Sequence, residues 1–509
     1  MKKTNKAVSG IAALTIAASA LSGCGNAGGG KTKITLMTIK DYYTTALNEI
    51  AKDYNKKNPD TQIEIQVIGD NGTYSQNFIT KITMDKKTAP DIIHTNLISG
   101  NSEGDMITKN WLLPLDDFLE EENPYNNGKK VKDAFTDPVF LTQAVSSVGK
   151  VGYLPFDCVS VGCYYNKTIF EANNIEVPAT YEDFSRALEK LRQAGYKNPL
   201  GATAYVDWFG ASLADWGFRK METQFLTLPG DALYNEETMK ANTEIVYDKD
   251  DPNFDVGAVF NDEKIVAYIN GHGIENDVTK KIWETQKSLW KYCTDGWVTP
   301  DDGQTYNQFF AQKIPVFVSG SWEVGRIVKD QQKLAEDKKF EWGVFPFPVF
   351  ETPDQNFEGQ PRGLRVAGHK LGIVNKDDEE REKKAADFLK YMYSPEVASK
   401  IYKITLDKGE LVQGPSLIEG VTFEDEVNEY MKGFECSGTM VNAMGKLAGA
   451  WSDTDTAIYN DYRLKYVSDE IDYDTFIAQI SSLTRQYVEN RKKTLGYDLD
   501  PATQDTANE

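Results

Sequence analysis

An alternation near the start of the chain constrains its fold more than any other feature. Lys33 to Ile39 is β-favouring and alternates in polarity, and then Leu47, Ile50, Ala51 and Tyr54 recur at helical spacing until Asn58-Pro59 stops the run. Ile63 to Ile68 alternates again, Phe78, Ile79, Ile82 and Thr83 predict a second helix, and Asp91-Ile92-Ile93 after Pro90 predicts a short buried strand. Strand, helix, strand, helix, strand is the signature of a mostly parallel sheet with helices on both faces. In such sheets ligands sit at the carboxyl ends of the strands. Farther on, Thr180 to Asp183 predicts a capped helix start, Phe184, Ala187, Leu188 and Leu191 share one face of that helix, and Gly195 ends it. Ala385, Phe388, Leu389 and Met392 predict another helix, and Ser394-Pro395 opens the next. No internal repeat is visible.

A fold of this kind needs large apolar side chains, and the chain supplies 9 Trp, 26 Tyr and 24 Phe among 509 residues. That content excludes an acidic disordered protein. The balance of 56 Lys+Arg against 77 Asp+Glu gives a formal net charge of −21, which argues against nucleic acid or anionic lipid as a partner, because either would repel the chain. With only three His, a multi-His metal centre is not expected. No cofactor is expected either, and because neither a phosphate-binding loop ending in Gly-Lys-Ser/Thr nor a G-x-G-x-x-G fingerprint occurs, the chain is not expected to be an ATPase.

The first residues read as an address. Lys2, Lys3 and Lys6 precede an apolar run from Ala7 to Leu21, too short for a membrane span and suited to the core of a signal peptide over residues 1–23. The run ends in Leu21-Ser22-Gly23-Cys24, which resembles the bacterial lipoprotein box, in which Cys24 is lipid-modified and becomes the new N-terminus. The alternative is an ordinary secretory signal with an incidental Cys. Removing residues 1–23, three of them Lys and none acidic, takes the net charge from −21 to −24. Residues 24–32 then form the lipidated Cys and a glycine-rich tether. No later segment is long and apolar enough to span a bilayer, so the lipid would be the only anchor. Cys158 and Cys163, five apart in an apolar β-rich run, fall on opposite faces of a strand and are not expected to bridge. Cys293 and Cys436 could pair in space, but buried free thiols are the preferred reading for all four.

Several segments, taken in order, resemble the family 1 extracellular solute-binding proteins of bacterial ABC importers, the sugar-binding group that includes maltose-binding proteins. They are the opening Ile34 to Tyr54, Ala89-Pro90-Asp91-Ile92-Ile93, Trp111 to Asp116, Gly152-Tyr153-Leu154-Pro155 and Tyr164-Tyr165-Asn166-Lys167. Pro178 to Phe184, Ile314 to Trp322 and Gly343 to Pro348 follow. Asp248 to Asp255 and Glu351 to Arg362 look like insertions relative to that pattern.

The resemblance implies an α/β chain with the two-lobed periplasmic-binding-protein type II fold, a hinge and a ligand cleft between the lobes. Residues 33–155 plus about 366–405 would form lobe 1, and 156–365 plus about 406–509 lobe 2. It implies a monomeric, lipid-anchored receptor on the extracytoplasmic face of the cell membrane, which hands a carbohydrate to the permease subunits of an ABC importer. Carbohydrates offer apolar C–H faces and a rim of hydroxyls, so the cleft should carry flat aromatic rings beside groups that form paired hydrogen bonds.

Carried over, Asp41 and Tyr42 follow the first strand beside Lys40, Asn96 and Thr95 follow Ile93, and Asp157 to Ser160 lie at the first lobe crossing. Trp322 in Gly-Ser-Trp is the best match to a stacking aromatic, and Trp451, before Ser452 and Asp453, is a second. Tyr205, Trp208 and Trp216 form an aromatic stretch where the family contributes to the cleft. Arg365 lies just before the second crossing, Val366 to Ile373. The ligand-binding set is therefore Asp41, Tyr42, Asn96, Asp157, Trp208, Trp322, Arg365 and Trp451. Partly buried core positions are the alternative for each Trp, and a surface ion pair for Arg365.

Three other chemistries compete. Gly100-Asn101-Ser102-Glu103-Gly104 matches the G-x-S-x-G elbow of hydrolases, with His272 and His369 downstream, so a secreted hydrolase using Ser102 or a carboxylate pair is the enzymatic alternative. Asp251, Asn253 and Asp255 imitate the start of a Ca²⁺ loop, but Val256 stands where such a loop needs Gly, so no metal is expected there. A binding protein for a non-sugar solute such as a peptide is the third.

Overall fold

The computed structural model describes residues 31–40, 42–136, 139–146, 148–227, 260–352, 354–421, 425–435, 438–449 and 456–500. Cys24, Asp41, Asp248 to Asp255, Cys436 and Trp451 lie outside the described residues, as do the leader and most of the tether.

Among the described residues, ten strands form two five-stranded sheets. β1 (Thr32–Ile39), β2 (Thr61–Ile68), β3 (Ile92–His94), β4 (Leu154–Pro155) and β10 (Lys370–Ile373) assemble in the order β2-β1-β3-β10-β4. In the second sheet, β5 (Cys158–Asn166), β6 (Leu200–Gly201), β7 (Val316–Gly320) and β8 (Trp342–Phe345) run β6-β7-β5-β8, and β9 (Arg365–Ala367) also pairs with β5. β1 pairs with β2 and β3 in parallel, from Thr32↔Thr61 to Ile39↔Ile68 and at Leu36↔Ile92.

The expected parallel order holds only where strands are joined by helical crossovers. β10 runs antiparallel to β3 and β4, and β5 antiparallel to β7, β8 and β9. The reason is that β5 and β10 arrive from the other sheet, so their direction is set by the crossing.

The predicted helices form where their apolar spacing placed them. Leu47, Ile50, Ala51 and Tyr54 are buried on the helix Thr44–Lys57, and Phe78 and Ile82 on Asn71–Met84. Tyr181–Gln193 begins at Thr180, whose hydroxyl accepts from the Asp183 N–H at 3.0 Å and donates to the Asp183 carboxylate at 2.8 Å. Gly195, just beyond its end, has φ +105°, which disfavours any side chain.

Separate apolar cores cover the two sheets. The first sheet is packed by Ile34, Leu36, Tyr54, Phe388, Ile401 and their neighbours, the second by Val161, Cys163, Phe184, Leu213, Trp283 and others. Cys158 belongs to the first core and Cys163 to the second, in keeping with opposite strand faces, and Cys158, Cys163 and Cys293 are buried with no disulfide among them. Val412, Leu417 and Ile418 also pack in the first core, and Phe135 bridges Ile418.

Candidate functional site

Three stretches of chain pass between the sheets, and backbone hydrogen bonds bind them into one hinge. Phe156 N–H donates to the His369 carbonyl at 3.0 Å, Gly368 N–H to the Asp157 carbonyl at 2.9 Å, and Cys158 N–H to the Pro415 carbonyl at 2.8 Å. The approach is close enough to require glycine twice. A Cβ at Gly414 would meet the Cys158 carbonyl oxygen, and one at Gly368 would meet an Asp157 carboxylate oxygen.

Asp157 is the centre of this hinge. It is fully buried, and its carboxylate accepts from the Tyr43 hydroxyl at 2.6 Å, from the His369 backbone N–H at 2.8 Å and from His369 Nδ1 at 2.5 Å. Sequence order placed Asp157 at the first crossing, but its oxygens point into the hinge and are committed there. Burial, reinforced by the Asp157 charge, drives the Tyr43 phenol well above its ordinary pKa, so it stays a donor.

Tyr42 lies on the other side of the same histidine. Its half-buried ring stands 4.5 Å from that of His369 and 5.9 Å from that of His94, edge-on to both. Burial raises its pKa, the Asp157 charge adds to the rise, and a hydrogen bond with the Gln413 side chain opposes it. Gln413 also reaches the second sheet, because its carbonyl accepts from the Ser321 hydroxyl, one residue before Trp322. Asn96 is exposed in the turn after β3 and donates to the Gly368 carbonyl at 3.2 Å.

The second sheet contributes a cluster of rings. Trp322 is partly buried directly after β7, with its indole folded over Gly320, where no Cβ would fit. Tyr205 packs edge-on against it with ring centroids 5.0 Å apart. The Tyr205 phenol is pushed up to about 12 by burial, with Asp302, Glu323 and Tyr42 adding to the shift. Trp208 is half-buried at the start of the helix Trp208–Phe218, and its N–H donates to the Tyr205 carbonyl at 3.1 Å.

Glu323, beside Trp322, is a candidate that sequence reasoning missed. Its carboxylate is buried and its pKa raised by desolvation, opposed by Arg326 at 3.4 Å and by a hydrogen bond from Trp322. The available signal was a carboxylate adjoining the stacking aromatic.

Two other expectations meet different surroundings. Trp216 is 2% exposed, stacks on Phe350 at 5.4 Å and donates from Nε1 to the Glu358 carbonyl at 2.7 Å, so it pins the 351–362 insertion to the core. Its helix is buried on nearly every side, as an apolar helix without a polar face must be. Arg365 lies in β9 opposite Ser160, with its guanidinium 5.5 Å from the Phe140 ring centre and its carbonyl accepting from Gln143 at 2.9 Å.

Ser102 does not form an elbow. Its hydroxyl accepts from the Asp105 N–H at 3.2 Å and donates to the Asp105 carboxylate at 2.8 Å, closing a capping box on the helix Glu103–Thr108. A helix start with small polar residues reproduces the pentapeptide without a nucleophile. His272, one of its possible partners, lies on the helix Asp262–His272 with its ring stacked on Tyr268 at 4.2 Å, and the other, His369, is held in the hinge. Among the described residues no group of three or more His, Cys, Asp or Glu is arranged to hold a metal, and no helix is long and apolar enough to cross a membrane.

Known proteins resemble this chain in sequence and in fold. A curated multiple sugar-binding protein of Streptococcus mutans is 22% identical over 379 residues, 74% of each chain. Among solved structures, apo RafE of Streptococcus pneumoniae aligns over 91% of this chain and all of its own, with a TM-score of 0.58 at 17% identity. MalE of Xanthomonas citri aligns over 92% and 100%, with a TM-score of 0.56 at 13% identity. These similarities show that the chain shares their two-lobed fold. The family model described as bacterial extracellular solute-binding protein matches residues 40–399, and the chain belongs to that family.

Proposed function

We propose that this protein is an extracytoplasmic receptor that binds a carbohydrate, an oligosaccharide, between its two lobes and delivers it to the permease of an ABC importer. It is held at the membrane by a lipid on Cys24 and acts as a monomer, without enzymatic activity of its own. The observation that carries the reading is the Tyr205–Trp322 ring pair beside the hinge, where Gln413 joins Tyr42 on one side to Ser321 on the other. Flat rings stack on sugar C–H faces, and Asn96, Glu323 and the turn beside Trp208 supply neighbouring hydrogen-bonding groups. Asp41 and Trp451 belong to the same proposed set. Relatives in the family include a multiple sugar-binding protein and a structure of RafE with raffinose, which supports the choice of ligand class.

The mechanism follows from the hinge. A ligand touching Tyr42 on one lobe and Trp322 on the other gains contacts only when both approach, so it shifts the population toward the closed form. The permease then recognises that form.

A thermal-shift screen of the chain from Gly25 onward against mono- and oligosaccharides, followed by calorimetry on the hits, tests this reading. A ligand that binds only the folded state raises the melting temperature. Trp322→Ala should then weaken binding by 1 kcal/mol or more, about the cost of removing an aromatic anchor. No stabilisation by any glycan would count against the carbohydrate, and an unchanged affinity in the variant would remove Trp322 from the site.

A further inference from the structure

Arg463 is buried on the helix Thr456–Val467, outside the ring cluster, with its side chain 4% exposed. Its guanidinium lies 4.6 Å from the ring centre of Trp290, 4.9 Å from Trp297 and 5.1 Å from Tyr459, and Nη1 donates to Asn460 at 3.1 Å. A buried cation among aromatic faces still requires a counter-charge. It finds one in Asp207, to which Nη2 donates.

Asp207 is the residue between Tyr205-Val206 and Trp208. It stands at the start of the helix Trp208–Phe218, yet its side chain makes no capping bond to that helix. Its backbone carbonyl receives the Gly210 N–H at 3.0 Å, and the preceding turn is stapled by Tyr205 N–H to the Thr203 hydroxyl at 3.1 Å and by Ala204 N–H to the Asp302 carboxylate at 2.8 Å. A carboxylate that forgoes its own helix for a caged arginine fixes where the turn sits, and with it the positions of the Tyr205 and Trp208 rings.

We infer that Arg463 and Asp207 form a clamp that positions the Tyr205–Trp208 turn for ligand, so that Arg463 is a positioning residue for the cleft. The inference rests on the proposed carbohydrate site, and one of its readouts is independent of that site. Asp207 is 41% exposed at its side chain, so Asp207→Asn keeps the shape of the side chain while removing the counter-charge. Arg463→Met tests the other half, and Lys446→Met, which breaks an ion pair with Asp262 in the same lobe, serves as a purely structural control.

The first readout is hydrogen exchange by mass spectrometry on the ligand-free chain. Exchange at 203–211 should rise at least fivefold in Asp207→Asn and Arg463→Met and remain unchanged in Lys446→Met. Unchanged exchange at 203–211 in Asp207→Asn overturns the clamp whatever the ligand. The second is calorimetry with raffinose, maltotriose or chitotriose, whichever binds the unaltered chain. Affinity should fall at least fivefold in Asp207→Asn at a temperature where it is fully folded, and a smaller loss, equal to that in Lys446→Met, overturns the positioning role. If none of the sugars binds the unaltered chain, the exchange result alone decides the clamp.

Discussion

Replacing Asp157 with alanine separates a hinge residue from a ligand residue. The substitution strips a fully buried acceptor from three donors at 2.6, 2.8 and 2.5 Å, namely the Tyr43 hydroxyl, the His369 N–H and His369 Nδ1. Each buried donor left unpaired costs about 1–3 kcal/mol, and because the three share one pocket, about 4 kcal/mol in all is expected rather than the full sum. Unfolding entropy near 2 cal/mol/K per residue gives a body of this size about 1 kcal/mol per degree, so the melting temperature should fall by about 4 °C. Calorimetric unfolding without ligand measures this directly. A shift under 1 °C, accompanied by a large loss of sugar affinity, would show that Asp157 faces the cleft and would refute the hinge assignment.

His94 provides a pH-dependent test. Burial, with His369 adding, holds its pKa well below the ordinary 6.5, so the folded protein keeps it neutral where the unfolded chain takes up a proton. Below about pH 6.5 the unfolded state binds more protons, and stability should drop as pH falls, with a slope of up to about 1.4 kcal/mol per unit from this group. Urea unfolding of His94→Gln between pH 7 and 5 should flatten that slope, and an identical profile would contradict it. Ser102→Ala should lose about 1 kcal/mol through the broken cap and leave sugar binding unchanged. Turnover of a nitrophenyl ester that disappears in this variant would instead revive the hydrolase.

Local chemistry was legible in the sequence and long-range orientation was not. Thr180, Asp183 and the four apolar residues behind them carried a complete helix start, and it forms as written. The order of crossings likewise put Asp157 between β4 and β5. What no local pattern could carry was its partner His369, 212 residues away, which turns the carboxylate inward. Trp208 and Trp216 illustrate the same limit within one helix. Both stood in one aromatic stretch, but Trp216 stacks on Phe350 and bonds Glu358 of the insertion, and those contacts accompany its burial. Strand direction failed for a related reason, since β5 and β10 take theirs from the lobe they leave.

Small-angle X-ray scattering of the chain, with and without a saturating oligosaccharide that binds it, tests most directly the claim that ligand is held between two lobes closing about this hinge. The account predicts that the ligand lowers the radius of gyration and that Trp322→Ala, at equal ligand concentration, reverses part of that change. Saturable binding in either form with an unchanged scattering profile, where the ligand-free chain is open, would contradict it.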